Sequence, residues 1–186
     1  MEMKPLILYI LLFNVLFCYN ELNYKIKYFG VYAADCKITI KDTVYNDIES
    51  KNINFHVKSK RIIKYFFPIE NNYSIILGQK NNILFFKKNT TQPRLNNYLE
   101  SEIRNNKIFY KNTDFEILDN YYNIFSLLYL LMQNENGIPN DFILEREGLL
   151  YNGKIIQGEN RKYLLLDINS NINSSLNKVI ENTDVF

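Results

Sequence analysis

The residues most capable of chemistry are the single histidine and a few closely spaced acids. His56 is the only histidine in the 186 residues, which excludes His-based triads and multi-histidine metal sites. It lies on the polar side of a segment with alternating polarity, so we expect its side chain to be solvated. No catalytic role is therefore predicted for His56.

Two acidic pairs have the i, i+2 spacing that places both side chains on one face of a strand. They are Asp114 with Glu116 and Glu145 with Glu147. A glycosidase would need one such acid in an environment that raises its pKa, opposite a second carboxylate. Nothing in the flanking residues requires that environment, so both pairs are predicted to be solvated charges.

Ser126 and Asp119 come close together along a predicted helix, but no general base accompanies them. Ser126 is expected to hydrogen-bond within its own helix or to face a small neighbour. The chain contains no phosphate-binding glycine loop, no Cys/His metal spacing and no nucleophile elbow. The sequence therefore predicts a protein that is not an enzyme and has no cofactor and no metal site.

The composition favours a β fold and gives no reason to expect a nucleic-acid partner. The 22 Lys and Arg residues are balanced by 20 Asp and Glu residues, for a net charge of +2. Nucleic-acid grooves usually show concentrated basic residues instead. The 15 Tyr and 13 Phe residues suit pleated, half-buried surfaces.

The N-terminus has the features of an export signal. Lys4 precedes an apolar run over Pro5–Phe17, which is short against the ~20 residues that span a bilayer. We expect residues 1–20 to be a cleaved signal peptide, followed by one domain over 21–186. Lipid attachment at Cys18 and an uncleaved anchor remain alternatives, and either would be the only membrane contact.

Cys36 is the one cysteine left after such a cleavage. It is predicted to be a buried small hydrophobe rather than a reactive thiol.

The domain is expected to be organised around a helix over Asp119–Gln133. Its apolar residues recur at i, i+3, i+4 and i+7 and cover nearly every side, so other structure must enclose it. Asp119 is the predicted N-cap, and Gly137 and Pro139 mark the predicted end. The remaining segments alternate like strands, except for Arg61–Pro68, which is predicted to be an irregular crossing that ends in a proline.

The predicted strands are 22–29, 36–42, 53–58, 73–77, 83–87, 98–104, 107–110, 142–150 and 163–168, with a link over 151–154. The fold class is therefore mainly β, as a curved antiparallel sheet or partial barrel wrapped around a single central α-helix.

Aromatic side chains crowd the face of this sheet that is predicted to point inward. They are Tyr24, Tyr28, Phe55, Phe66, Tyr73, Phe85 and Phe109, facing Phe125 and Tyr129 of the helix. Curled sheets with apolar interiors can hold a lipid or another hydrophobic molecule. The alternative is that the helix and the rings fill the space as a dry core.

Three segments resemble the family of exported bacterial proteins catalogued as domain of unknown function 3108. Tyr24–Ile40 is similar to its first hairpin, Ser59–Tyr73 to its aromatic stretch before a tyrosine, and Asp119–Leu131 to its conserved helix pattern. Leu131 and Met132 stand where that helix usually has an arginine. The family has no established activity, so the resemblance implies none for this chain.

The resemblance implies a largely antiparallel sheet in the periplasm or outer envelope of a bacterium. It covers about residues 22–168, and the family continues beyond the point where this chain stops, so a C-terminal truncation is expected. Two functions follow as hypotheses. The first is a carrier of a lipid or other apolar ligand inside the sheet. The second is an adaptor with a dry core, whose sheet edge or Arg61–Pro68 segment docks an envelope protein.

Overall fold

The computed structural model describes residues 20–28, 31–93, 95–111, 113–116, 121–133, 141–157 and 162–171. Within these ranges the strands are β1 (Asn20–Tyr28), β2 (Val31–Tyr45), β3 (Ile48–Ser59), β4 (Glu70–Leu77), β5 (Ile83–Gln92), β6 (Leu95–Arg104), β7 (Lys107–Tyr110), β8 (Thr113–Glu116), β9 (Tyr121–Asn123), β10 (Asp141–Arg146), β11 (Leu149–Gln157) and β12 (Lys162–Asn171). The helices are α1 (Arg61–Phe66) and α2 (Ile124–Met132).

The main sheet is an antiparallel meander in which β1 to β8 lie side by side in chain order. Two of its turns, Asn46-Asp47 and Asn105-Asn106, have both residues at positive φ. Asparagine and aspartate tolerate that conformation, which the tight turns of twisted hairpins require. The predicted mainly β, antiparallel character is confirmed.

The second sheet has the order β12-β11-β10-β9, and β9 runs parallel to β10. The single strand predicted over 142–150 is wrong, because the chain reverses at Glu147 and Gly148, whose φ values are 55° and 89°. The predicted link over 151–154 lies inside β11 instead. Gly153 is needed there for a close approach, since a Cβ atom would lie 2.2 Å from Phe142 Cε2.

The cap of the buried helix is Asn123, four residues after the cap predicted at Asp119. The Ser126 backbone N–H donates to Asn123 Oδ1 at 2.8 Å, and the Asn123 N–H donates to Ser126 Oγ at 3.1 Å. This reciprocal capping box satisfies two N–H groups that the helix leaves open. The residues just before it, Tyr121–Asn123, form β9. The described residues do not include the predicted helix ends Asp119, Gly137 and Pro139.

Helix α2 packs on both sheets. Tyr129 and Leu130 belong to the hydrophobic cluster of β2 to β5. Leu127 packs with Phe142 and Leu144 of the second sheet and is fully buried.

The predicted irregular crossing over Arg61–Pro68 is wrong in its first part, which forms helix α1. The two ends of the segment are held together by a contact between Ser59 and Ile69. The Ser59 N–H donates to Ile69 O at 3.0 Å, and the Ile69 N–H donates to Ser59 Oγ at 3.1 Å. Because these ends are adjacent, the residues between them have to coil away from the sheet.

Candidate functional site

The ring of Phe125 occupies the space between α2 and the main sheet. Its centroid lies 4.2 Å from that of Tyr73, 5.0 Å from Phe55 and 5.7 Å from Phe86. Tyr129 is buried in the same cluster. The structure thus brings together four of the predicted inner-face residues in one cluster, in which the rings of Phe55 and Tyr73 pack on that of Phe125.

Two other predicted inner-face residues are exposed. Phe66 is 84% exposed because it belongs to α1, which projects from the sheet. Tyr24 is 45% exposed, since β1 is an edge strand and nothing described covers its ring. The prediction that these two rings line the interior is therefore wrong.

The prediction that Phe85 points inward is also wrong, because the neighbouring Phe86 faces the core instead. The segment Ile83–Phe86 has no alternation to set its face, and the pairing of Ile75 with Phe86 sets it instead. Phe85 is half-buried and packs on Tyr45 at 5.9 Å.

Phe109 is likewise half-buried, while its neighbours Ile108 and Tyr110 face the core. The side chain of Tyr28 is not among those described.

A buried polar network connects the β10–β11 hairpin to the main sheet. Glu145 and Glu147 are only 4% and 7% exposed, so the prediction that they are solvated is wrong. Lys88 of β5 forms an ion pair with Glu147. Glu145 accepts hydrogen bonds from the hydroxyls of Tyr110 and Tyr121, the latter at 3.2 Å.

The Gly148 backbone N–H donates to the same Glu145 carboxylate at 2.6 Å. Burial raises the pKa of Glu145, and burial followed by the charge of Glu145 raises the pKa values of Tyr110 and Tyr121 well above their ordinary value. These groups are enclosed and bonded mainly to one another, so we interpret the network as a structural clamp. Asp114, by contrast, is exposed as predicted and pairs with Lys107 at 3.2 Å.

A groove of about 530 Å³ lies on the outer face of β1, β2 and β3 and reaches the start of α1. We call it the basic groove, because its lining includes Lys25, Lys37, His56, Lys58, Lys60 and Arg61. Lys37 pairs with Glu21 at 2.8 Å, Lys58 with Glu70 at 3.1 Å and Lys60 with Asp35 at 3.5 Å.

His56 is half-exposed on the polar face, as predicted, and hydrogen-bonds to Asn72 at 2.6 Å.

Next to the groove, three ammonium groups surround the exposed ring of Tyr32. The Nζ atoms of Lys27, Lys25 and Lys60 lie 4.7, 5.4 and 5.8 Å from the ring centroid. A β-bulge at Ala33 explains the position of the ring. The extra residue reverses the alternation of β2 and turns Tyr32 to the same face as Lys27.

The α1 surface consists of Ile62, Tyr65, Phe66 and Phe67, which are 76%, 87%, 84% and 47% exposed. No residue of α1 is fully buried, and Ile63 is only partly covered. Contiguous apolar exposure of this kind marks interaction sites in soluble proteins. The sequence showed the apolar residues, but their exposure depends on the coil between Ser59 and Ile69.

No family model matches this chain, and comparisons with curated proteins and with solved structures also give no match. The resemblance to the exported family stays a prediction. So does the cleaved leader, with lipid attachment at Cys18 as its alternative, since residues 1–19 lie outside the described ranges.

In the part of the chain that the structure describes, no helix has the length and apolar character to cross a bilayer. The described side chains also bring no three metal-binding groups together. Cys36 is a free, half-buried thiol whose pKa is raised by burial.

Proposed function

We propose that the protein is exported, is not an enzyme, and docks onto a partner through the α1 surface. The observation that carries this proposal is the exposure of Ile62, Tyr65 and Phe66, each more than three-quarters accessible. Burying one such side chain is worth about 1.5–3 kcal/mol. A partner that covers all three would gain that energy without any rearrangement of the β scaffold.

The interior supports a scaffold role rather than a carrier role. We propose that the main sheet curves around α2 as a partial barrel, with Phe125 in its concavity. The contacts of this ring with Phe55 and Tyr73 favour a dry core over a bound lipid. Docking on the outside is then the function that the geometry supports best.

A carrier of an apolar ligand is the second candidate, favoured by the aromatic cluster of Phe55, Tyr73, Phe125 and Tyr129. A ligand would enter there only if Phe125 moved aside. Native mass spectrometry of the purified chain separates the two candidates. The docking function predicts the mass of the polypeptide alone, and a co-purifying lipid would favour the carrier.

The docking function is tested with a photo-cross-linking amino acid placed at position 65 and, as a control, at position 98. Tyr98 is also an exposed tyrosine, 58% accessible, but it lies on β6 and away from α1. In the native compartment, adducts should form from position 65 and not from position 98. Equal labelling from both positions, or none from position 65, would reject docking through α1.

Export is the remaining part of the proposal and is supported by the apolar run over Pro5–Phe17. Peptide mapping of the mature N-terminus tests it. A mature chain that begins near residue 21 is expected, and retention of the apolar run would refute cleavage.

A further inference from the structure

We infer that the partner of the α1 surface is the surface of an anionic phospholipid bilayer. This inference rests on the proposed docking function and names its partner. It goes beyond the two membrane contacts considered from the sequence, the leader and lipid attachment at Cys18, because it places a contact within the folded domain itself.

The charge next to α1 has the sign that such a surface requires. Lys25, Lys27 and Lys60 surround Tyr32, and Arg61 begins the helix. Among the described residues, no carboxylate forms an ion pair with Lys25, Lys27 or Arg61. Clustered basic residues near a membrane are attracted to its anionic headgroups.

The short helix separates its apolar side chains from its basic ones, as helices that lie in a membrane interface do. At ~100° per residue, Tyr65, Ile62 and Phe66 fall within an arc of roughly 100°, while Arg61 and Lys64 lie to one side of that arc. All five side chains are exposed. The aromatic arc could therefore enter the headgroup region while the cations remain at the level of the phosphates.

The shape of the surface favours a bilayer over a protein. A stable protein interface buries about 800 Å² on each partner and needs a complementary shape. Helix α1 has 6 residues and projects from the sheet, so on its own it offers a small convex contact. A fluid bilayer accepts such a protrusion without a preformed pocket, and it supplies negative charge over the whole area below the basic groove.

A tryptophan reporter tests the inference directly, because the chain contains no tryptophan. Full-length F66W is mixed with vesicles of equal parts phosphatidylglycerol and phosphatidylcholine, and separately with pure phosphatidylcholine vesicles. We expect a blue shift of the emission with the anionic vesicles and a much smaller one with the neutral vesicles. The matched Y98W protein, labelled at an exposed tyrosine on β6, should show no shift with either.

The charge requirement is tested in the F66W background with Lys27→Gln/Arg61→Gln. Each basic residue near an anionic surface is worth about a five-fold change in affinity, so the pair should weaken vesicle binding roughly 25-fold. The control is Lys80→Gln/Lys111→Gln, which removes the same charge at exposed positions away from α1. It should weaken binding much less.

Three results would overturn the inference: no emission shift, an equal shift with both kinds of vesicle, or an emission that is already blue-shifted before vesicles are added. The last result would mean that another segment of this chain covers α1. If cross-linking from position 65 captures only a protein and the emission of F66W does not change with vesicles, docking through α1 stands and the bilayer is rejected as its partner.

Discussion

The two helices of the described chain are both rich in apolar and aromatic residues, but their surroundings are opposite. Helix α2 has a reciprocal cap and packs between two sheets, with Leu127 fully buried. Helix α1 has no side-chain cap and no buried residue, and it exposes Tyr65 and Phe66. The tertiary packing of an apolar face, rather than the cap, is what gives a short helix most of its stability. Helix α1 therefore contributes little to folding, and its apolar side chains need another explanation, which docking supplies.

The largest loss of stability is expected from a substitution that disconnects the second sheet, which packs against one side of α2. Lys88→Met should lower the free energy of unfolding by about 3–5 kcal/mol, because it leaves the Glu147 carboxylate buried without its partner. Urea denaturation measures the loss. The double variant Lys88→Met/Glu147→Met should recover most of it, and an equal loss in both proteins would show that the ion pair is not the cause.

Truncating a side chain on the buried face of α2 should cost nearly as much stability. Leu127→Ala is expected to lower the free energy of unfolding by about 2–5 kcal/mol, because it leaves a cavity against Phe142 and Leu144. The neighbouring Leu128 is 39% exposed, so Leu128→Ala is a matched control and should cost much less. Similar losses in thermal or urea unfolding would contradict the burial difference within α2.

Stability should also depend on pH through Glu145. Because its pKa is raised above the ordinary 4.5 by burial, the folded state holds more protons than the unfolded state between 4.5 and the raised value. The free energy of unfolding should fall as pH rises through that window, by at most about 1.4 kcal/mol per pH unit. Urea denaturation at a series of pH values should show this slope in the wild type and lose it in Glu145→Gln.

Two exposed acids act in a different part of the pH range. The pKa values of Glu70 and Glu100 are lowered, mainly by hydrogen bonds from Lys58 and Tyr98 respectively. Their contribution to stability is lost only as pH falls below 4.5. A slope above 4.5 that persists in Glu145→Gln would therefore contradict the role given to Glu145.

The cap of α2 is expected to have a smaller effect. Asn123→Ala removes the oxygen that accepts from the Ser126 N–H and should cost about 1 kcal/mol in urea denaturation. Asn123→Ser keeps an acceptor at the cap and should restore most of that stability. If both variants were as stable as the wild type, packing alone would hold the start of α2.

The smallest effect on folding is expected at α1. Tyr65→Ser/Phe66→Ser should change the free energy of unfolding by no more than about 0.5 kcal/mol, because both rings are solvent-exposed. The same protein should lose its binding to anionic vesicles in a flotation assay. A large loss of stability would show that α1 is part of the core, contrary to the contrast with α2.

The alternation of polarity predicted the early strands well, because their inner and outer residues differ clearly. Ile38, Ile40, Ile53 and Phe55 face the core and His56 faces outward. The pattern failed at Phe85, where two aromatic residues adjoin and only pairing with β4 decides which one faces inward.

The candidate site was less predictable than the fold. The buried Glu147 is paired with Lys88, which is 59 positions earlier in the chain, so no local pattern could reveal the network. The exposure of α1 depends on the contact between Ser59 and Ile69, which the break in alternation over Arg61–Pro68 does not reveal. The sequence shows which residues are apolar, but long-range contacts decide which of them remain accessible.

Hydrogen–deuterium exchange of the full chain, with and without anionic vesicles, tests most directly whether α1 rather than the interior is the binding surface. Peptides that cover residues 61–67 report on α1, and peptides over residues 124–132 report on α2. We predict that vesicles slow exchange in the first region and leave the second unchanged. Slowing confined to residues 124–132, or no slowing at residues 61–67, would contradict this account.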